Sequence, residues 1–106
     1  MKKITTILFM LLLVSFALAE VMPDFKLPDA AGKNITLQEL LGKGPVLIDF
    51  WADYCKPCKD AMPQLNTLAE KYDSLTVVMI SIDPPKNLPK AKNYLKSKNY
   101  KFITLF

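Results

Sequence analysis

Histidine is absent from the 106 residues and cysteine occurs only twice. A structural zinc site normally takes four Cys or His ligands, so this chain cannot furnish one, and an iron–sulfur cluster fails on the same count. Covalent haem attachment needs His directly after the second cysteine of a Cys-x-x-Cys pair, and position 59 is Lys. The six lysines near the end (Lys86, Lys90, Lys92, Lys96, Lys98 and Lys101) stand without interleaved arginine. They read as a solvated helix face, and no nucleic-acid partner is expected. Internal repeats and low-complexity segments are also missing, and the length leaves room for one domain.

The N-terminus is apolar and carries a short positive start. Met1-Lys2-Lys3 precedes a nearly all-apolar run from Ile4 to Leu18, and Ala17-Leu18-Ala19 supplies the small-x-small pattern cut by signal peptidase. Residues 1–19 are therefore expected to be a secretory signal cleaved after Ala19, which directs the domain to the periplasm or cell envelope. The competing reading is an N-terminal membrane anchor, but the run falls short of the about 20 residues needed to span a bilayer. No cysteine follows the cut to carry a lipid. Loss of Lys2 and Lys3 lowers the formal net charge from +4 to +2, too mild to attract a polyanion.

Asp24–Leu27 and Asn34–Leu37 are placed to pair as a hairpin across Asp29-Ala30-Ala31-Gly32. Asn34-Ile35-Thr36 also matches a glycosylation sequon, which is taken as chance. Thr36 with Glu39 forms a capping box for a short helix that stops at Gly42. Val46–Trp51 is a short apolar run suited to a strand covered on both faces, with Asp49 as its one polar member. Met62, Leu65, Leu68 and Tyr72 recur at helical spacing, and Pro63 is expected to kink that helix. Leu75–Ile82 reads as a second buried strand. Leu88, Ala91, Tyr94 and Leu95 mark a further helix, with Asn87 as its cap and Pro89 in its first turn. A third strand starts at Lys101. Strand and helix alternate as in a parallel sheet with crossover helices, an α/β fold.

Cys55 and Cys58 are too close to staple distant parts of the fold, because the chain-entropy gain from a cross-link grows with loop length. Two chemical uses remain: dithiol redox exchange, and capture of Cu(I) between two thiolates with Met62 as a possible third soft ligand. Context favours exchange. The motif joins an apolar strand to an amphipathic helix, which puts Cys55 at a helix N-terminus where N–H groups and the dipole favour negative charge. Lys56 and Lys59 add positive charge, and such surroundings bring a cysteine pKa from ~8.5 into the range of roughly 3.5–7.5. Pro57 sits in the first turn at little cost and fixes the separation of the sulfurs. Cys55 is then the nucleophile and Cys58 the resolving thiol. Asp49, in an apolar strand, is expected to be buried with a raised pKa and to take the proton from Cys58.

Ile48-Asp49-Phe50-Trp51-Ala52, followed by Asp53-Tyr54-Cys55-Lys56-Pro57-Cys58, resembles the thioredoxin superfamily. Pro23-Asp24-Phe25, Leu27, Gly32-Lys33 and Met62-Pro63 are more similar to its exported TlpA/ResA-like branch than to cytosolic thioredoxin. The resemblance runs from about Pro23 to the last residue. It implies a central, mostly parallel sheet flanked by helices and a thiol–disulfide oxidoreductase with no cofactor and no metal, with Cys55, Cys58 and Asp49 catalytic and Trp51, Lys56 and Pro57 supporting. It further implies a protein disulfide as substrate, a membrane dithiol as electron donor, a frequent role in cytochrome c maturation, and here a monomer.

The chain also departs from that pattern. Asp49 matches thioredoxin proper, where the branch often has Asn, and Met79 takes the place of thioredoxin's lysine on the neighbouring strand. Tyr54 stands where Trp is usual, and Lys56 replaces the common Gly. No proline follows Pro89, so the cis-proline loop, final hairpin and last helix of the family are missing from residues 20–106. The expectation is an incomplete fold, part of a longer protein, with an exposed sheet edge and weak activity by itself. A peroxidase of the peroxiredoxin type would want Thr three residues before its cysteine; Cys58 has Cys55 there and Cys55 has Ala52.

Overall fold

The computed structural model describes residues 1–16 and 20–106, with the side chains of 11–16 excepted, so the expected cleavage site at Ala17-Leu18-Ala19 lies outside the described residues. Lys2–Phe16 forms helix α1, and Ile4, Ile7, Leu8, Phe9 and Met10 on it are exposed. Among the described residues no helix is long and apolar enough to cross a membrane.

Strands β1 (Lys26–Pro28) and β2 (Asn34–Thr36) pair antiparallel, Leu27 opposite Ile35. The hairpin is displaced from the expected pairing because two aspartates take backbone donors. Asp29 Oδ1 accepts the N–H groups of Ala31 and Lys33, each at 2.9 Å, and closes the turn. Asp24 Oδ1 accepts from Phe25 N at 3.0 Å and Gln38 N at 3.2 Å, which ties residue 24 to helix α2 (Leu37–Leu41) instead of a strand. The expected capping box is in place: Thr36 Oγ1 accepts from Glu39 N, and Glu39 Oε2 accepts from Thr36 N.

Strands β3 (Val46–Trp51), β4 (Thr76–Ser81) and β5 (Ile103–Leu105) form a parallel sheet in that order. Helix α3 (Lys56–Lys71) links β3 to β4 and helix α4 (Leu88–Lys98) links β4 to β5. Both helices cover one face, where Trp51, Met62, Val77, Met79, Ala91 and Phe102 make one core cluster. The opposite face carries Val78, Ile80 and Leu105 with Leu40 of α2, and Phe25, Leu27 and Ile35 of the hairpin region pack on it. An Asp29–Leu105 bridge and a Phe106 N to Pro28 O bond of 2.9 Å join the hairpin to β5.

Central position falls to β4, whose inner four residues are all buried, whereas β3 is half-buried over most of its length. Both faces of β3 are packed, Leu47 and Trp51 toward the helices and Val46 and Ile48 toward the hairpin side, with Phe50 alone exposed, but β3 is an edge strand. It has β4 on one side and, among the described residues, no strand on the other. Helix α3 runs unbroken past Pro63, with Thr67 Oγ1 donating to Pro63 O at 3.0 Å. Tyr72 ends α3 as a half-exposed C-cap instead of joining the core. Asn87 closes a short 3-10 turn (Pro85–Asn87) and makes no side-chain cap to α4; its own N–H is held by Pro84 O at 2.8 Å.

Candidate active site

A tight turn at the end of β3 delivers the cysteines. Cys55 N donates to Ala52 O at 3.0 Å, and Cys55 is then the N-cap of α3 in extended conformation, with Pro57 in the first turn. Its Sγ accepts the backbone N–H of Cys58 at 3.3 Å, in the place an Asp or Ser oxygen occupies in other caps. Cys55 and Cys58 are joined in a disulfide with their Cα atoms 5.3 Å apart, and both are half-buried. One sulfur thus faces a helix N-terminus, and Cys58 packs against the core cluster that contains Trp51 and Met62. Met62, the possible third soft ligand of a copper site, is fully buried in that core.

The lysines beside the motif are not free charges. Lys56 Nζ lies 2.9 Å from Asp60 Oδ2 on the exposed face of α3. Lys59 Nζ lies 2.9 Å from Asp53 Oδ1 and 4.2 Å from the centre of the Tyr94 ring. Each of the two cations expected to lower the cysteine pKa thus has a carboxylate partner, which leaves the helix terminus as the main local source of positive potential.

Asp53 received no role from the sequence, yet it is the one buried charged residue among the described residues. Its carboxylate also meets Lys90 Nζ at 3.1 Å. Lys59 holds the Asp53 carboxyl below the ordinary carboxylate range, with Lys90 acting in the same sense and desolvation opposing. The Asp53 N–H donates to both oxygens of Asp83, at 3.0 and 3.1 Å. Asp83 in turn accepts from Ser81 Oγ at 2.6 Å, and Ile82 N donates to Trp51 O at 2.8 Å. These bonds stitch the turn before the cysteines to the loop after β4. The available signal in the sequence was an acidic residue inside the motif and another just after a strand, but their pairing needs the fold.

Asp49 points to the α3 side of the sheet, between Leu47 and Trp51 by strand alternation. It is half-buried, a correction to the expected enclosure that follows from β3 having, among the described residues, no second neighbouring strand. Its Oδ1 accepts from Phe50 N at 2.9 Å. Met79 is its register partner on β4, as the comparison with thioredoxin implied, and is fully buried. Trp51 is fully buried against Tyr94, ring centres 6.1 Å apart, and its Nε1 has no hydrogen-bond partner among the described residues.

A parallel sheet that hands its chain to a helix capped by the first cysteine of a Cys-x-x-Cys pair is the arrangement of the thioredoxin fold. The chain belongs to the AhpC/TSA family, which matches residues 18–106, and within the thioredoxin superfamily it is a TlpA/ResA-like protein. It is 40% identical over 80 residues to the thiol-disulfide oxidoreductase ResA of Bacillus cereus, covering 76% of this chain and 46% of that one. It is 43% identical over 60 residues to the thioredoxin-like protein YneN of Bacillus subtilis, covering 56% of this chain and 35% of the relative. A crystal structure of thio-disulfide isomerase from Thermus thermophilus superposes with a TM-score of 0.67 at 32% identity, covering 82% of this chain and 58% of that one. The chain thus spans about half the length of the ResA relative it matches.

Proposed function

We propose that this chain exchanges thiols and disulfides at Cys55–Cys58 and serves as a reductant of protein disulfides in the cell envelope. The supporting observation is the Cys55 sulfur at the N-cap of α3, bonded to Cys58 and within reach of its N–H. In the reduced protein the Cys55 thiolate attacks one sulfur of a substrate disulfide and forms a mixed disulfide, releasing the other sulfur as a thiolate. Cys58 then gives its proton to Asp49 and attacks Cys55, which frees the second substrate thiol and restores the Cys55–Cys58 bond. Two electrons pass to the substrate. A membrane dithiol supplies the next pair. The similarity to a thiol-disulfide oxidoreductase and to a thio-disulfide isomerase supports the exchange chemistry.

Residues 1–19 act in this reading as an export signal cleaved after Ala19. Residues 20–106 are the redox part of a longer thioredoxin-like domain, and cytochrome c maturation is the process in which a reductant of this branch is expected to serve.

Insulin reduction by the reduced chain, run beside a Cys58→Ser variant, tests the proposal. Turnover by the wild-type chain is expected, and the variant should stop at a mixed disulfide visible as an added substrate mass on Cys55. Absence of both turnover and adduct would overturn it.

A further inference from the structure

Asp53 stands two residues before Cys55, and Lys59 directly follows Cys58, so their charges flank the disulfide in the chain. The structure brings them together: Asp53 Oδ1 takes the Lys59 ammonium at 2.9 Å and Oδ2 takes Lys90 of α4 at 3.1 Å. Asp53 is 8% exposed, its N–H is held by Asp83, and the Lys59 ammonium also rests on the Tyr94 ring that packs against Trp51. Such a node is fixed on three elements. Lys59, itself mostly buried, covers the carboxylate, while Lys90 reaches it from the exposed face of α4.

We propose that Asp53 is a positioning residue for the redox pair: by drawing Lys59, the residue after Cys58, and Lys90 onto one buried carboxylate, it offsets lysine charge flanking the motif and holds the pair at a more reducing potential. The inference rests on the exchange reading of Cys55–Cys58. Reducing the disulfide consumes two electrons and takes up protons, and the reduced form carries negative charge to the extent that Cys55 ionises. Positive charge nearby therefore stabilises the reduced form and makes the protein a stronger oxidant; negative charge does the reverse. Asp53→Asn removes the negative member and leaves Lys59 and Lys90. Lys59→Met removes a positive member and leaves Asp53 with Lys90. The other charged groups around the node, Asp83 after β4, the Lys56–Asp60 pair on α3 and Lys98 beside Tyr94, are the same in both variants.

The test is a glutathione titration of the full chain and both variants at pH 7, following protein dithiol plus oxidised glutathione to protein disulfide plus two reduced glutathiones. Asp53→Asn is expected to shift the equilibrium about threefold toward the dithiol and Lys59→Met about threefold toward the disulfide, each roughly 14 mV where tenfold is 29.6 mV. Shifts of the same sign, or none, overturn the proposal, because a node that only braces the fold lowers stability in both variants without opposed potentials. Should circular dichroism find Asp53→Asn unfolded, Lys59→Met decides: a shift toward the disulfide supports the proposal and no shift overturns it. A wild-type chain that does not equilibrate with glutathione at all contradicts the exchange reading instead.

Discussion

The sulfur of Cys55 accepts the backbone N–H of Cys58 at 3.3 Å, so the residue that caps helix α3 is also the proposed nucleophile. A cap is by nature an acceptor, and it gains strength as it becomes negative. The helix N-terminus thus presents an N–H to this sulfur, while the lysines on either side of Cys58 are each held by an aspartate.

Replacing Asp49 with Asn should slow the second step more than the first. The carboxylate lies on the α3 face of β3, on the same side as Cys58, and the proposed reaction asks it to take the Cys58 proton. A general base typically contributes on the order of 10²-fold or more. Rapid-quench analysis of the mixed disulfide at pH 7 should find release slowed by about that factor, with the deficit shrinking as pH rises and Cys58 ionises unaided. Equal release rates in the two proteins would remove Asp49 from the mechanism.

Acid stability should depend on Asp53. Its carboxyl is held low in the folded state by Lys59 and Lys90, against an unfolded value of about 3.9. A depressed folded pKa contributes stability above the unfolded value, and that stability is lost as pH falls through the folded one. Urea midpoints measured from pH 6 downward should fall less steeply in Asp53→Asn than in the wild type below about pH 4. Parallel curves would mean that the node carries no net protonation-linked stability.

Gly44 should not tolerate a side chain. It adopts φ 129°, and a Cβ built on it would meet Ser74 O at 2.6 Å, where the loop before β3 passes the loop before β4. Strain of this kind costs about 1–3 kcal/mol. Gly44→Ala is expected to lower the unfolding free energy by that amount in a denaturant titration, whereas alanine at Gly42, with ordinary φ and only van der Waals contacts, should cost far less.

The parts of this molecule that were legible in advance are those written in local chemistry. Thr36 and Glu39 announce their capping box three residues apart, Val46–Trp51 matches strand β3 residue for residue, and the Cys55-Lys56-Pro57-Cys58 motif states its own position at a helix start. What escaped was long-range pairing of charge. Asp53 and Lys90 are far apart in sequence, and Asp53 and Asp83 meet only because β3 and β4 end side by side, Trp51 beside Ser81. The half-burial of Asp49 was hidden for a related reason: an apolar run specifies a strand but not whether it has one neighbour or two. Asn87 failed as a cap because Pro84 and Pro85 wind a 3-10 turn ahead of α4, which puts the Asn87 backbone in the helical region.

The most direct test is the pH dependence of iodoacetamide alkylation at Cys55 in the reduced chain, with Cys58 replaced by Ala so that a single thiol is read. A rate profile with its midpoint clearly below the ~8.5 of an ordinary thiol is predicted, since the helix terminus favours the anion. A midpoint at or above that value, or a residue 55 that reacts no faster at pH 7 than a free cysteine, would contradict the account.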